Sequence, residues 1–202
     1  MKKILLYITA SIIAVSASGT EKTFTIYTES FQKITFISKA SMESFEGTTN
    51  VVSGVIKIDA ENLSDATAMC KVDMRTLDTG INLRNTHMRE NHLHTKDFPY
   101  SQFNLKSITG ASSMKAGGSI DFTAKGEFEL HGVKKEIEIP LHVEWVQNTQ
   151  GTPVKGAAEA LHITGEFSVA LADYKIPLPQ FLFMRLSETQ IININIWAKL
   201  GE

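Results

Sequence analysis

Ser119-Ile120-Asp121-Phe122-Thr123-Ala124-Lys125-Gly126-Glu127-Phe128-Glu129-Leu130-His131 separates into two faces at every step. Ile120, Phe122, Ala124, Gly126, Phe128 and Leu130 fall on one face. Ser119, Asp121, Thr123, Lys125, Glu127, Glu129 and His131 fall on the other. A period of two is the mark of a strand with one buried side. Past Gly132 the pattern resumes, with Ile137, Ile139, Leu141, Val143 and Trp145 against Glu136, Glu138, Pro140, His142 and Glu144. Two such runs around a glycine predict an antiparallel hairpin.

Working outward, the alternation recurs in both directions. Ile192, Ile194, Ile196, Ala198 and Leu200 oppose Asn193, Asn195, Trp197 and Lys199, and Val52, Gly54, Ile56 and Ile58 oppose Ser53, Lys57 and Asp59. Shorter strands are expected at 24–29, 33–38, 101–107 and 163–170. One apolar face per strand, over so many strands, means an all-β sandwich or closed barrel. Strand length favours the barrel: thirteen residues at about 3.3 Å each span roughly 43 Å, more than twice a typical strand. The expected fold is an elongated antiparallel β-barrel of about eight strands. Ala124 and Gly126, small and mid-strand on the inner face, predict an elongated internal cavity, which Trp at either position would fill. The stretch from Ile81 to Leu93 lacks alternation and predicts one short helix with ragged ends near residues 81–93, packed on the barrel or capping its mouth and ended by Phe98-Pro99.

The ends and the composition bound the rest. Met1-Lys2-Lys3, an uncharged apolar run from Ile4 to Val15 and small residues at Ser16, Ala17, Ser18 and Gly19 predict a secretory signal peptide over 1–17, cleaved after Ala17. The protein is therefore expected to be exported, periplasmic or secreted, with 18–202 as a single domain. Twenty basic residues, two of them Lys2 and Lys3, stand against 22 acidic ones, and no basic block occurs, so no nucleic-acid partner is expected. The single cysteine, Cys70, permits no internal disulfide and alternates in phase with Ala66, Ala68, Val72 and Met74, as a small buried hydrophobe does.

Candidate chemistry is sparse. His87, His92 and His94 lie close in sequence, but spacings of five and two do not place two ligands on one helical face, so no metal is expected. Nucleophile-elbow and phosphate-loop motifs are absent from the sequence, and nothing points to an enzyme. Arg84, His87 and Arg89 form the only local concentration of donors. Arg84 and His87 are therefore expected at a polar end of the cavity, where a guanidinium suits an anionic head group.

Three motifs, in order, carry a resemblance. Asp78-Thr79-Gly80, Arg84, His87-Met88-Arg89, Phe98-Pro99 and Phe103 come first, then Leu130-His131-Gly132-Val133-Lys134-Lys135, then Asp173-Tyr174-Lys175-Ile176. Together they resemble the YceI-like family over nearly the whole mature chain. The resemblance implies a lipocalin-like barrel in the periplasm that holds a polyisoprenoid, such as a prenyl lipid or isoprenoid quinone, as carrier or store, with no other cofactor. Transient membrane contact and a possible homodimer go with that expectation. On the inner faces the expected ligand-binding residues are Ile120, Phe122, Ala124, Gly126, Phe128, Ile194 and Ile196, with Arg84 and His87 at the polar end. Two positions depart from the family pattern: Leu171 stands where relatives often have Arg, and Lys175 where they have Gly. The first implies a different head group or a neutral lipid. Two other readings of the alternation remain open here: an outer-membrane barrel with its apolar faces toward lipid, and a His-based metalloprotein.

Overall fold

The computed structural model describes residues 21–39, 44–178 and 187–201. The leader expected at 1–17 lies outside the described residues. Ten strands form one antiparallel sheet: β1 Lys22–Ile26, β2 Lys33–Lys39, β3 Ser44–Thr49, β4 Val52–Ile58, β5 Thr67–Asp73, β6 Tyr100–Thr109, β7 Ser119–Leu130, β8 Val133–Val146, β9 Ala160–Ala170 and β10 Thr189–Leu200. Eight of them close into a barrel in the order β1-β4-β5-β6-β7-β8-β9-β10, sealed by β1 against β10 at Phe24–Leu200 and Thr25–Lys199. The other two, β2 and β3, continue from β10 beside this ring.

Ten strands make an eight-stranded ring because the first hairpin is broken in both arms. β1 and β2 both run antiparallel to β10, with 27–32 between them. The break leaves Trp197 on β10 without a strand partner on its β1/β2 side. Gln32, buried in the gap, supplies one: its Nε2 donates to the Trp197 carbonyl at 2.8 Å, and its Oε1 accepts from the Trp197 N–H at 2.7 Å. A buried backbone amide must find such a partner, and here a side-chain amide stands in for a strand. β3, a short Gly- and Thr-bearing strand, was not anticipated from sequence.

The barrel has one sealed and one splayed end. At the sealed end Phe24, Ile26, Val143, Trp145, Leu161, Ile196 and Ala198 pack together, with the Phe24 and Trp145 rings edge-on at 5.5 Å. At the other end two seams open. β3 is joined to the chain beyond β5 by a single backbone bridge among the described residues, Thr48–Asp78. β8 pairs with β9 only over Leu141–Val146. That ladder stops at Pro140, which has no N–H to offer. Phe128, Phe167 and Tyr174 close the second seam as edge-on ring pairs with centroids 5.6 Å apart.

Apolar faces point inward. The outer face of β7 and β8 carries ion pairs, Lys134–Glu127 at 2.9 Å and Lys125–Glu136 at 3.2 Å. Such exposed pairs add little stability, but they are the reverse of the lipid-facing belt that an outer-membrane barrel presents.

Candidate functional site

The inner faces leave one cavity of about 690 Å³ running most of the barrel's length. Its wall is almost wholly aliphatic and aromatic. Ile56, Cys70 and Val72 face it from β4 and β5, Phe103 and Leu105 from β6, and Ile139, Leu141 and Ile163 from β8 and β9. Such a volume lies within the range of small-molecule sites.

Of the residues expected to bind ligand, Phe122, Ala124, Phe128, Ile194, Ile196, Arg84 and His87 line the cavity. Ile120 instead packs into the core cluster of the sealed end. Gly126 does not reach the cavity, because Phe103 from β6 lies over it: a Cβ there would sit 2.6 Å from the Phe103 ring and 2.3 Å from the Asn104 carbonyl oxygen. The glycine is room for Phe103, not for ligand, so Trp at 126 would disrupt the sheet where Trp at 124 enters the cavity. The wall also contains residues the reading of isolated strands passed over. Gln190 continues the inner face of Ile192, Ile194 and Ile196, and Phe36 shares a face with Ile34; both line the cavity. That phase was available in the sequence, since each lies two residues from a chosen or apolar position.

The mouth is covered by a strap, 77–99. It holds helix α1, Asn82–His87, followed by one π-helical turn, Met88–His92. This is the ragged helix expected near 81–93. Ile81, Leu83, Met88 and Leu93 turn apolar side chains toward the cavity. The polar residues of the strap hold it in place. Asn85, buried, accepts from the Thr79 N–H at 2.8 Å and from the Thr79 hydroxyl at 2.7 Å, and donates to Asp78 Oδ1 at 2.7 Å. Asp78 also accepts from the Gly80 N–H at 2.8 Å. That bond, first, and the Asn85 amide, second, hold its carboxyl below the ordinary value. Arg84 donates to the Thr79 hydroxyl and carbonyl at 2.9 and 3.0 Å, and its guanidinium sits 4.3 Å over the Phe45 ring. Arg89 donates to the Leu77 carbonyl. Both arginines thus brace the strap internally, and Arg84 also ties it to β3 through the Phe45 ring.

The three strap histidines go separate ways. His87 is exposed at the rim. His92 Nδ1 lies 2.8 Å from the Pro177 carbonyl oxygen and must donate to it. His94 reaches the β7–β8 turn, where His131 and Gly132 have φ of 52° and 71°, a turn with both central residues left-handed. A carbonyl only accepts, so His131 Nδ1 donates to the Tyr174 carbonyl at 3.0 Å. In a neutral imidazole His131 Nε2 then accepts from His94 Nδ1, 2.8 Å away. Among the described residues no three metal-ligating side chains converge.

Cys70 keeps some accessible surface, but that surface faces the cavity. Burial pushes its thiol up to about 12, so it stays protonated and is a wall residue, not a nucleophile.

Comparison with known proteins places this geometry. The model of the YceI-like domain matches residues 19–198. A UPF0312 protein of Vibrio parahaemolyticus is 30% identical over 146 residues, 70% of either chain. Among solved structures, BcnA of Burkholderia cenocepacia superposes with a TM-score of 0.66 at 18% identity, over 83% of this chain and 96% of that one. A polyisoprenoid binding domain from Saccharophagus degradans superposes with a TM-score of 0.65 at 16% identity, over 90% of this chain and all of the other. At these identities the structural likeness speaks for the fold.

Proposed function

This chain belongs to the YceI-like domain family, and from that premise we propose that it is an exported binding protein for a long apolar ligand, a polyisoprenoid, which it carries between membranes. The observation that carries the reading is the cavity: about 690 Å³ of almost unbroken hydrocarbon wall, sealed at one end and reached beside an apolar strap at the other. The similarity of fold to a polyisoprenoid binding domain supports the ligand class. Catalysis has no support from the site, whose one thiol is protonated and whose neighbouring histidines bond to backbone carbonyls or to one another or stand at the rim.

Energetics favour loading from a bilayer rather than from water. Each CH₂ removed from water is worth about 0.8 kcal/mol. A long prenyl tail drawn from water would therefore exceed the practical affinity ceiling of about −18 to −21 kcal/mol. Between bilayer and barrel the apolar term largely cancels, and what remains is shape, head-group contact and chain ordering.

The test is native mass spectrometry with organic extraction of the purified protein, followed by transfer of a labelled polyprenol between two vesicle populations. A bound prenyl lipid, and transfer that rises with protein concentration, are the expected results. Ala124→Trp should abolish both while the barrel melts cooperatively. Protein that holds its ligand for hours beside excess vesicles would be a store, not a carrier. Fractionation with N-terminal sequencing checks export: a chain starting at Ser18 in the periplasmic fraction is expected.

A further inference from the structure

Two buried polar side chains, Gln190 in the cavity wall and Ser38 directly beside it, each leave one atom without a hydrogen-bond partner among the described residues. Ser38 on β2 and Gln190 on β10 are directly paired across the two strands. Gln190 lines the cavity in phase with Ile192 and Ile194, and Ser38 is in phase with Ile34 and Phe36, which line it too. Ser38 is 1% exposed and Gln190 7%. Gln190 Nε2 donates to the Ser187 carbonyl at 2.7 Å, which fixes the orientation of the amide and leaves Oε1 as its acceptor. Among the described residues, neither Gln190 Oε1 nor Ser38 Oγ has a partner. An unsatisfied buried polar atom is costly, and two side by side on paired strands call for an account.

Their position supplies one. Ser38 also pairs with Phe45, the ring beneath Arg84 of the strap, so the two atoms lie at the mouth end, opposite the sealed apolar end. A ligand whose tail fills the cavity toward the sealed end brings its head to this level. Resting on the binding reading above, we propose that Ser38 and Gln190 are a recognition site for a hydroxyl group on the ligand's long apolar chain. The hydroxyl donates to Gln190 Oε1 and accepts from the Ser38 hydroxyl, satisfying both atoms at once. A phosphate or diphosphate offers only acceptor oxygens when ionised and would set negative charge against the Gln190 carbonyl oxygen. A quinone carbonyl also only accepts, whereas its reduced hydroquinone donates. A site built to hydrogen-bond a hydroxyl discriminates strongly against analogues that lack it.

The test is displacement of a fluorescent apolar probe from the delipidated protein by five competitors. These are a polyprenol, its chain-matched phosphate, a prenylated hydroquinone, its oxidised quinone, and a prenyl hydrocarbon without a head. Wild type should bind the prenol and the hydroquinone about tenfold or more tighter than their acceptor-only counterparts; the two alcohols themselves separate the possible sources of the hydroxyl. Ser38→Ala and Gln190→Met should each remove most of that preference and leave hydrocarbon binding unchanged. Thermal melting without ligand is the second readout. Ser38→Ala should match or exceed the wild-type midpoint, because it removes an unsatisfied buried atom; Gln190→Met also loses the Ser187 bond and is read by its preference alone. Unchanged preference in both variants, or a lowered midpoint for Ser38→Ala, would overturn the proposal: the pair would then hold a water or serve the fold. Wild type that displaces probe for none of the five would instead overturn the binding reading itself.

Discussion

Lys175 ends the 3₁₀ turn Leu171–Tyr174 with φ of 55°, a conformation in which a Cβ crowds the following carbonyl. Its side chain is exposed and earns nothing visible in return. Glycine at this position removes the strain at some entropic loss in the unfolded chain. Lys175→Gly should therefore stabilise the fold by about 1 kcal/mol, read as a higher urea midpoint at unchanged slope. A lower midpoint would show that the lysine has a partner in solution. Cys70 makes a second residue-scale case. With its thiol at about 12, on the order of one molecule in ten thousand is ionised at pH 8. Disulfide-exchange reagents should label native protein far more slowly than urea-unfolded protein, and labelling at comparable rates would place the sulfur outside the cavity.

At the scale of elements, the strap and the β7–β8 turn hold the splayed end together. Asn85 satisfies both donors of Thr79 and donates to one oxygen of Asp78, so Asn85→Ala breaks three hydrogen bonds at once. Roughly 2–3 kcal/mol of local stability should be lost. Proteases should cut within 77–99 at least tenfold faster while the barrel's global melting changes less; an unchanged cleavage rate would mean that apolar contacts alone hold the strap. The turn shows the opposite economy. His131 accepts a left-handed backbone, and two hydrogen bonds, to His94 and Tyr174, keep it there. The Leu130-His131-Gly132 motif is thus a clamp joining strap, hairpin and the 3₁₀ turn, and Gly132 is required because Phe98 lies 2.5 Å from where its Cβ would be.

Over the whole molecule, the barrel's closure ties chain segments far apart in sequence. Lys22 on β1 donates to Glu159 at 2.6 Å, and Trp145 Nε1 on β8 donates to the same carboxylate at 2.6 Å. Burial acts to raise the Glu159 carboxyl, but these two hydrogen bonds outweigh it and hold the group below its ordinary value of 4.5. A depressed native value means stability that is complete above 4.5 and is lost as pH falls through the native value. The urea midpoint should drop across that acid window. Glu159→Gln should cost about 1–2 kcal/mol at pH 7 and flatten the acid drop. An equally steep drop in the variant would assign it to other carboxylates, Asp73 first, which is held low chiefly by its Arg75 hydrogen bond.

What the sequence by itself determined is what side-chain period can carry. The separation of faces in 119–131 and 136–145 specifies strands with one buried side, and their length specifies a tall barrel, because burial must alternate with the pleat. The strap's helix was legible for the converse reason, a stretch where period two fails. Tertiary structure alone decided where each inner-face atom goes. Gly126 and Ala124 look alike in sequence, yet one lies beneath Phe103 and the other lines the cavity, because a neighbour 23 positions away fills the first space and not the second. Arg84 and Arg89 look like free donors, yet both reach back into the strap, to Thr79 and to Leu77. The break in the first hairpin turns on Gln32 meeting Trp197, 165 positions away, and no local pattern encodes a contact of that separation.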